Sequence, residues 1–360
     1  MSRRTLFAVH DWGLGHATRS LVLIRALLDA GDEVTVVSAE GNGLQLLRAE
    51  LGTSCRFISF HDIPKPFSRW PAMFYVRMSL ATPVVMTRFK QEHRFVEKLV
   101  ARDRYDRIVS DSRFGMWSHD IPSYCMLHSL RQIIPGRPRH LERLVEFGQR
   151  NLTRHFKRIL IPDVETDRGL SGDLGHDPAL DWGDDRLAYI GPLSSITPTS
   201  AEPDIDCFFS ISGIEPQRTL MAQKVLEALP HLEGRIVVAL GQPSRADDCR
   251  HIGNATVYGY LDRQAQSEML ARARLVMTRS GYTTLMELAG LGKQALFVPT
   301  PGQSEQEYLA RFHHDKGHVW STTQKDLNLS TDIPRALARP GVPHMSCDQS
   351  VTRFMAAIEG

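Results

Sequence analysis

No run in this 360-residue chain approaches the roughly 20 apolar residues that a membrane-crossing helix requires. Cysteine is sparse: Cys55, Cys125, Cys207, Cys249 and Cys347 are scattered, with no CxxC and no metal-ligand spacing. That pattern excludes a disulfide framework and a cysteine-rich zinc site, and fits a reduced compartment. Charge of one sign is also missing. With a net charge of +2 and 23% charged residues, the chain lacks the basic excess of a nucleic-acid binder, so no nucleic-acid partner is expected. There is no internal repeat and no low-complexity tract. The opening MSRRTLFAVHDW is basic, but its apolar run is too short for a signal peptide. What remains is a cytoplasmic protein, 42% hydrophobic and long enough for two domains of Rossmann size.

The most informative stretch is LVMTRSGYTTLMELAGLGKQALFVPTPGQSEQEYLA, residues 275–310. A short apolar run ends at Thr278 and Arg279, and Ser280 and Gly281 make a tight turn. A helix-forming segment follows and closes at Gly290 and Gly292, and a second apolar run stops at Pro299. This reads as a βαβ unit, with its turn at the carboxyl end of a strand, where open α/β sheets bind ligands. Gly281 allows close backbone approach, and the free N–H groups of the helix suit a phosphate. Thr284 falls in the first turn of that helix. Glu287, about two turns in, is placed to reach a ribose. Gln303, Glu305 and Gln306, after the second strand, offer donors and acceptors for sugar hydroxyls.

The N-terminus gives a second nucleotide-fold opening. A strand from Thr5 to His10 runs into Asp11-Trp12-Gly13-Leu14-Gly15-His16-Ala17-Thr18-Arg19 and then a helix. The third glycine of a dinucleotide GxGxxG is replaced by Thr18, and His16 sits where a pyrophosphate would need a small residue. A third strand–turn–helix joins Cys207–Ile211 to Ser212, Gly213 and Arg218.

These stretches resemble the GT-B glycosyltransferases, most closely family 28, which includes the peptidoglycan N-acetylglucosaminyltransferase. The resemblance rests on Gly13-Leu14-Gly15-His16, on Ser212-Gly213, and on Arg279-Ser280-Gly281 through Gln306; Leu309-Ala310 stands where many members have Asn-Ala. It implies an α/β fold of two Rossmann-like domains facing across a cleft. An acceptor-binding domain would span residues 1–185, and the C-terminal helix of 348–360 would pack back on it. A nucleotide-sugar-binding domain would span residues 186–345. It also implies a donor linked to a nucleoside diphosphate, with UDP expected, and an inverting transfer that needs neither cofactor nor metal. The Ser-Gly turns and Arg218 would face the diphosphate, Glu287 the ribose, Glu305 and Gln306 the donor sugar, and the segment around Tyr260 the base. Gly13 and Gly15 shape the acceptor-side turn. His16 is the candidate base; the alternatives are a phosphate contact or a helix cap. Asp11 orients His16 or is a surface carboxylate, and Arg19 contacts the diphosphate or is solvated.

Other stretches are less specific. Residues 69–94 alternate apolar and cationic residues at helical spacing. They form either a peripheral membrane patch near a lipid-linked or cell-envelope acceptor, or an ordinary amphipathic helix. Asp111-Ser112-Arg113 and His128 sit at strand ends of the first domain without naming an acceptor. Leu187–Leu193 is read as the entry to the second domain. Asp204-Ile205-Asp206 matches a metal-binding DxD by letter but lies at the wrong end of its strand. His313, His314 and His318 are read as surface residues. Two other functions use the same architecture: a nucleotide-sugar 2-epimerase, and a sugar-nucleotide-binding protein without catalysis.

Overall fold

The computed structural model describes residues 2–64, 72–183, 185–196 and 202–359, with the backbone alone for residues 72–79. The chain divides into two compact units. One holds the first half of the chain up to Ser195 together with the segment from Cys347 onward; the other holds Ile196–Ser346.

In the first unit, strands and helices alternate: β1 (Arg4–Val9), α1 (Leu14–Asp29), β2 (Glu33–Ser38), α2 (Asn42–Leu51), β3 (Arg56–Ser59), α3 (Ala72–Asp103), β4 (Arg107–Asp111), β5 (Ser123–Met126), α4 (Arg139–Leu152), β6 (Arg158–Ile161) and β7 (Leu187–Tyr189). The strands are short, and the central ones, β1, β2, β4, β5 and β6, are buried on both faces, as parallel strands between helices must be. They pair in the order β3-β2-β1-β4-β5-β6-β7, all parallel. The order reverses between β1 and β4, which opens a crevice beyond their carboxyl ends. β7 pairs with β6, Ile159 opposite Leu187. The run read as the entry to a second domain therefore completes the first sheet, and the boundary falls after Ser195 rather than after residue 185.

The second unit contains β8 (Ile205–Ser210), α5 (Gln217–Ala228), β9 (Ile236–Ala239), β10 (Cys249–Ile252), β11 (Ala255–Tyr258), α6 (Arg263–Arg272), β12 (Ala273–Thr278), α7 (Tyr282–Leu291), β13 (Gln294–Phe297), α8 (Ser304–Asp315), β14 (Trp320–Ser321) and α9 (Leu329–Leu337). Its sheet runs β10-β11-β9-β8-β12-β13-β14, with only β10 antiparallel. Phe209, Val238, Met277 and Leu296 form its buried centre. Here the order reverses between β8 and β12.

The last helix, α10 (Asp348–Glu359), belongs to the first unit. Tyr124 and Arg158 donate to the carbonyls of Ile358 and Ala357 at its end, and Ser350 donates to Pro192 at its start. Among the described residues no helix is long and apolar enough to cross a membrane. All five cysteines are free.

Candidate functional site

In the first unit the chemistry gathers where β1 and β4 part. Helix α1 starts at Leu14, so His16 lies in its first turn and Arg19 and Ser20 one turn further. All three turn toward Asp111, the last residue of β4. His16 Nδ1 lies 3.0 Å from Asp111 Oδ1, Arg19 Nε donates to Asp111 Oδ2 at 2.9 Å, and Ser20 Oγ donates to the same oxygen at 3.0 Å. Arg19 Nη2 also donates to Asp111 Oδ1, and Arg19 Nη1 lies 3.0 Å from His128 Nδ1. Burial alone would raise the Asp111 pKa, but the Arg19 charge and the His16 contacts outweigh it and hold the carboxylate well below its usual range. For His16, desolvation dominates; with the Arg19 charge it outweighs the attraction of Asp111 and brings the imidazole down to about 4. His16 is therefore neutral at pH 7 and keeps 19% of its side chain exposed. His16 Nδ1 lies 3.0 Å from Arg19 Nη2 as well as from Asp111 Oδ1, and the tautomer that gives its Nδ1 proton to Asp111 carries the lone pair on Nε2.

Beside this pair sits a second one. His10 Nδ1 lies 2.8 Å from Asp62 Oδ2, and the His10 and His16 rings meet edge to face with centroids 5.0 Å apart. Asp62 also accepts from the Asp11 and Ile63 amides.

Two expected roles change in this setting. Arg19 is 2% exposed and committed to Asp111, so its guanidinium braces the first unit rather than standing ready for a diphosphate. Asp11 is buried beneath the start of α2, so close that a Cβ at Gly41 would fall 2.5 Å from Asp11 Oδ2. The carboxylate that reaches His16 is Asp111. Gly13 precedes α1 and Gly15 lies within its first turn, which brings His16 to the sheet edge.

In the second unit three loops converge at the carboxyl ends of β8, β12 and β13. Arg279 ties them together. It donates to the carbonyls of Ser212 at 3.2 Å, Val298 at 2.9 Å, Pro299 at 3.1 Å and Gln217 at 3.2 Å, and to Gln324 Oε1 at 2.7 Å. It is 3% exposed, and desolvation lowers its pKa only to about 10, so it stays cationic. Arg279 is thus a brace under the loops rather than a ligand contact. Ser280 is equally internal, its hydroxyl donating to the Gln306 carbonyl at 2.7 Å, while Gln306 Oε1 accepts from Thr300 N at 2.8 Å. Arg218 is engaged by Glu215 and the Gly241 carbonyl.

What these braces present is backbone. Gly213 has φ +115, which a side chain would strain. Gly281 is the residue before α7, and a Cβ there would meet only Gln306 Nε2, at 3.9 Å. Thr300 Oγ1, buried beside Gly213, has no hydrogen-bond partner among the described residues. The amino ends of α5 and α7 therefore open beside glycines, with an unsatisfied hydroxyl close by, an arrangement that suits phosphate oxygens. Gln303 is exposed, and Thr284, Glu305 and Tyr260 are partly so. Glu287 lies in the middle of α7; burial pushes its carboxyl up to about 7, against the pull of Arg263.

The acidic triplet is structural: Asp204 pairs with Arg235 and Arg272, and Asp206 accepts from Arg235 N, at the amino end of β8. Among the described residues no group of three His, Cys, Asp or Glu is placed to hold a metal. His313 is not a surface residue, being fully buried with its Nδ1 3.2 Å from His318 Nδ1.

Residues 217–344 match the glycosyltransferase family 28 C-terminal domain. Over that segment the chain is similar to family 28. A UDP-N-acetylglucosamine–N-acetylmuramyl-(pentapeptide) pyrophosphoryl-undecaprenol N-acetylglucosamine transferase from Rhodopseudomonas palustris is 29% identical over 158 residues, covering 39% of this chain and 41% of that protein. The match thus spans about two fifths of the relative's length. The glycotransferase of kitacinnamycin has the same fold, with a TM-score of 0.67 at 15% identity over 99% of this chain and 96% of that one. MurG of Acinetobacter baumannii aligns with a TM-score of 0.56, 15% identity and 99% and 95% coverage. Both are GT-B structures, and GT-B is the fold of this chain. The family 28 segment contains Arg218, Tyr260, Arg279, Ser280, Gly281, Thr284, Glu287, Gln303, Glu305 and Gln306. Ser212 and Gly213 lie just before it.

Proposed function

We propose that this protein is a glycosyltransferase that moves a sugar from a UDP-linked donor to an acceptor hydroxyl, with inversion and without a catalytic metal. The observation that carries the reading is the braced loop cluster of the family 28 segment. Arg279 holds three loops so that Gly213, Gly281 and two helix amino ends face one place. Fixed N–H dipoles of this kind stabilise the charge that builds on a departing diphosphate. Glu287 takes the ribose hydroxyls, and Gln303, Glu305 and the Gln306 amide nitrogen take the donor sugar. The backbone at Tyr260 faces the base.

The first unit serves the acceptor. Neutral His16, oriented through Nδ1 by Asp111, accepts the hydroxyl proton at Nε2 as the oxygen attacks the anomeric carbon. A single displacement breaks the bond to the diphosphate oxygen as the new glycosidic bond forms, which inverts the centre. The Rhodopseudomonas relative is named for transfer to a pyrophosphoryl-undecaprenol, which supports a lipid-linked acceptor for this chain. In the stretch 69–94, where membrane contact was expected, Leu80 and Val84 of α3 are exposed while Phe89 is buried. Residues 69–71 and the side chains of 72–79 lie outside the described residues. The matched family, whose relatives are transferases, favours transfer over 2-epimerisation. Incubation with labelled UDP-sugars and a lipid-linked acceptor tests the proposal: a glycoside with release of UDP supports it, and an epimerised nucleotide sugar overturns it.

A further inference from the structure

The transfer chemistry leaves one buried imidazole without a part. β1 is apolar from Leu6 to Val9, and the residue that follows, His10, is only 6% exposed. A strand end that needed only a plug would carry one more apolar residue. Here it carries a titratable ring, set edge to face against His16 with centroids 5.0 Å apart and planes at 84°.

His10 is held from two sides. Its Nδ1 lies 2.8 Å from Asp62 Oδ2, and a carboxylate oxygen that close places the ring proton on Nδ1. Trp12 leans on the ring, with centroids 5.0 Å apart, and its Nε1 donates to the Ile63 carbonyl at 3.4 Å. The stretch that carries Asp62 is itself fixed from other elements. Arg113, 1% exposed, donates to the carbonyls of His61 at 2.7 Å and Phe60 at 3.3 Å. Its Nε donates to Glu92 Oε1 of α3 at 2.9 Å. Burial alone would raise the Asp62 pKa, but His10, the Arg113 charge and the Asp11 amide outweigh it and keep the carboxylate ionised.

We propose that His10 is a positioning residue for His16: its ring sets the plane of the His16 imidazole, and its proton screens that imidazole from the Asp62 charge. His16 needs the support, since its Nδ1 lies 3.0 Å from an acceptor, Asp111 Oδ1, and equally from a donor, Arg19 Nη2. Among the described residues, Asp111 and Arg19 face His16, and His128 lies beyond Arg19. Asp62 faces His10, with Arg113 and Glu92 behind it, and the Asp11 carboxylate lies under the start of α2. Loss of the His10 N–H would set an unscreened carboxylate beside His16. That favours the imidazolium and raises the pH below which the base is lost.

The part in turnover rests on the reading of His16 as the base, whereas the ring geometry is testable without turnover. NMR of the imidazole nitrogens reads both titration and tautomer, with the His16 signals assigned by their loss in His16→Ala. In the wild-type chain His16 should titrate near 4. His10→Phe keeps a ring but no N–H, and should raise that value by about 1–2 pH units. The double variant H10F/D62N should bring it back, because the unscreened charge is gone. His10→Gln keeps an N–H for Asp62 but no ring. It should move the His16 nitrogen shifts toward an average of two tautomers, and lower kcat about tenfold with the KM for the nucleotide sugar unchanged. If His10→Phe does not fold, the His10→Gln shifts decide. An unmoved titration in His10→Phe, or one that stays raised in H10F/D62N, would overturn the proposal. Unmoved His16 shifts in His10→Gln would do the same. The expected shifts in a chain that transfers no sugar would support the positioning and sink the base reading alone.

Discussion

His16 and Asp111 are 95 residues apart in sequence, and their side chains meet at 3.0 Å at the crevice between β1 and β4. The pair orients the imidazole, and the tautomer that donates Nδ1–H to Asp111 leaves the Nε2 lone pair clear of the carboxylate. His16→Ala should lower turnover by about 10²–10⁴-fold. Nucleotide-sugar affinity should stay near that of wild type, because the residues assigned to the donor lie in the second unit. Calorimetry beside initial rates separates the two quantities; near-normal turnover in a folded variant would remove the base assignment.

Asp111 should matter twice. Asp111→Asn weakens the hold on His16 and leaves Arg19 buried without its counter-charge. Losing one partner of a buried ion pair costs about 3–5 kcal/mol. The variant should therefore show a clear drop in melting temperature as well as in rate. An unchanged melting temperature would mean that Arg19 finds another partner.

The His16 shift fixes the pH dependence. A protonated imidazole cannot accept a proton, so activity falls as pH drops through the His16 pKa, near 4 rather than near the usual 6.5. The rate at saturating substrates should be level from about pH 6 to 8 and decline only in acid. A decline centred near 6.5 would show that the ring is more solvated in the working enzyme.

Glu287 makes the opposite kind of prediction. Its carboxyl, raised to about 7 by burial, is partly protonated at neutral pH, and the ionised form is the better acceptor of ribose hydroxyls. UDP affinity should tighten as pH rises from about 6 to 8, and Glu287→Gln should remove that slope. Glu287→Ala should weaken binding by about 1–3 kcal/mol. A wild-type affinity independent of pH would place Glu287 outside the ribose site.

Arg279 separates brace from ligand. If it holds the loops, Arg279→Lys should destabilise the second unit by about 2–4 kcal/mol, since one ammonium cannot reach five acceptors. Differential scanning calorimetry reads that loss without any nucleotide. Full stability with weakened UDP binding would return Arg279 to the diphosphate.

The strands expected at Thr5–His10, at Cys207–Ile211 and just before Arg279 were legible as short apolar runs ending in glycine turns, and they lie within two residues of β1, β8 and β12. The loops after β8, β12 and β13 were legible for the same reason. What a sequence conceals is the direction in which a loop side chain turns. Arg279, Ser280 and Gln306 have the composition of ligand contacts, yet their side-chain bonds go largely to backbone groups brought near by β8 and β13. Asp111 carried no local sign of its partner, because the parallel β1–β4 pairing creates that contact. Leu187–Tyr189 was too short to show which sheet it joins. Helix α4 defeats periodicity altogether, since buried Glu142 and Glu146 anchor the face that its leucines would ordinarily occupy.

The most direct test of sugar transfer follows label from a UDP-sugar, with UDP-N-acetylglucosamine first, into a lipid-linked acceptor held in detergent micelles, with EDTA present. The account predicts an inverted glycoside and one UDP released for each sugar moved, with product lost when His16 is replaced by alanine. Nucleotide-sugar binding with no product from any acceptor, or an epimerised nucleotide sugar as the product, would contradict it.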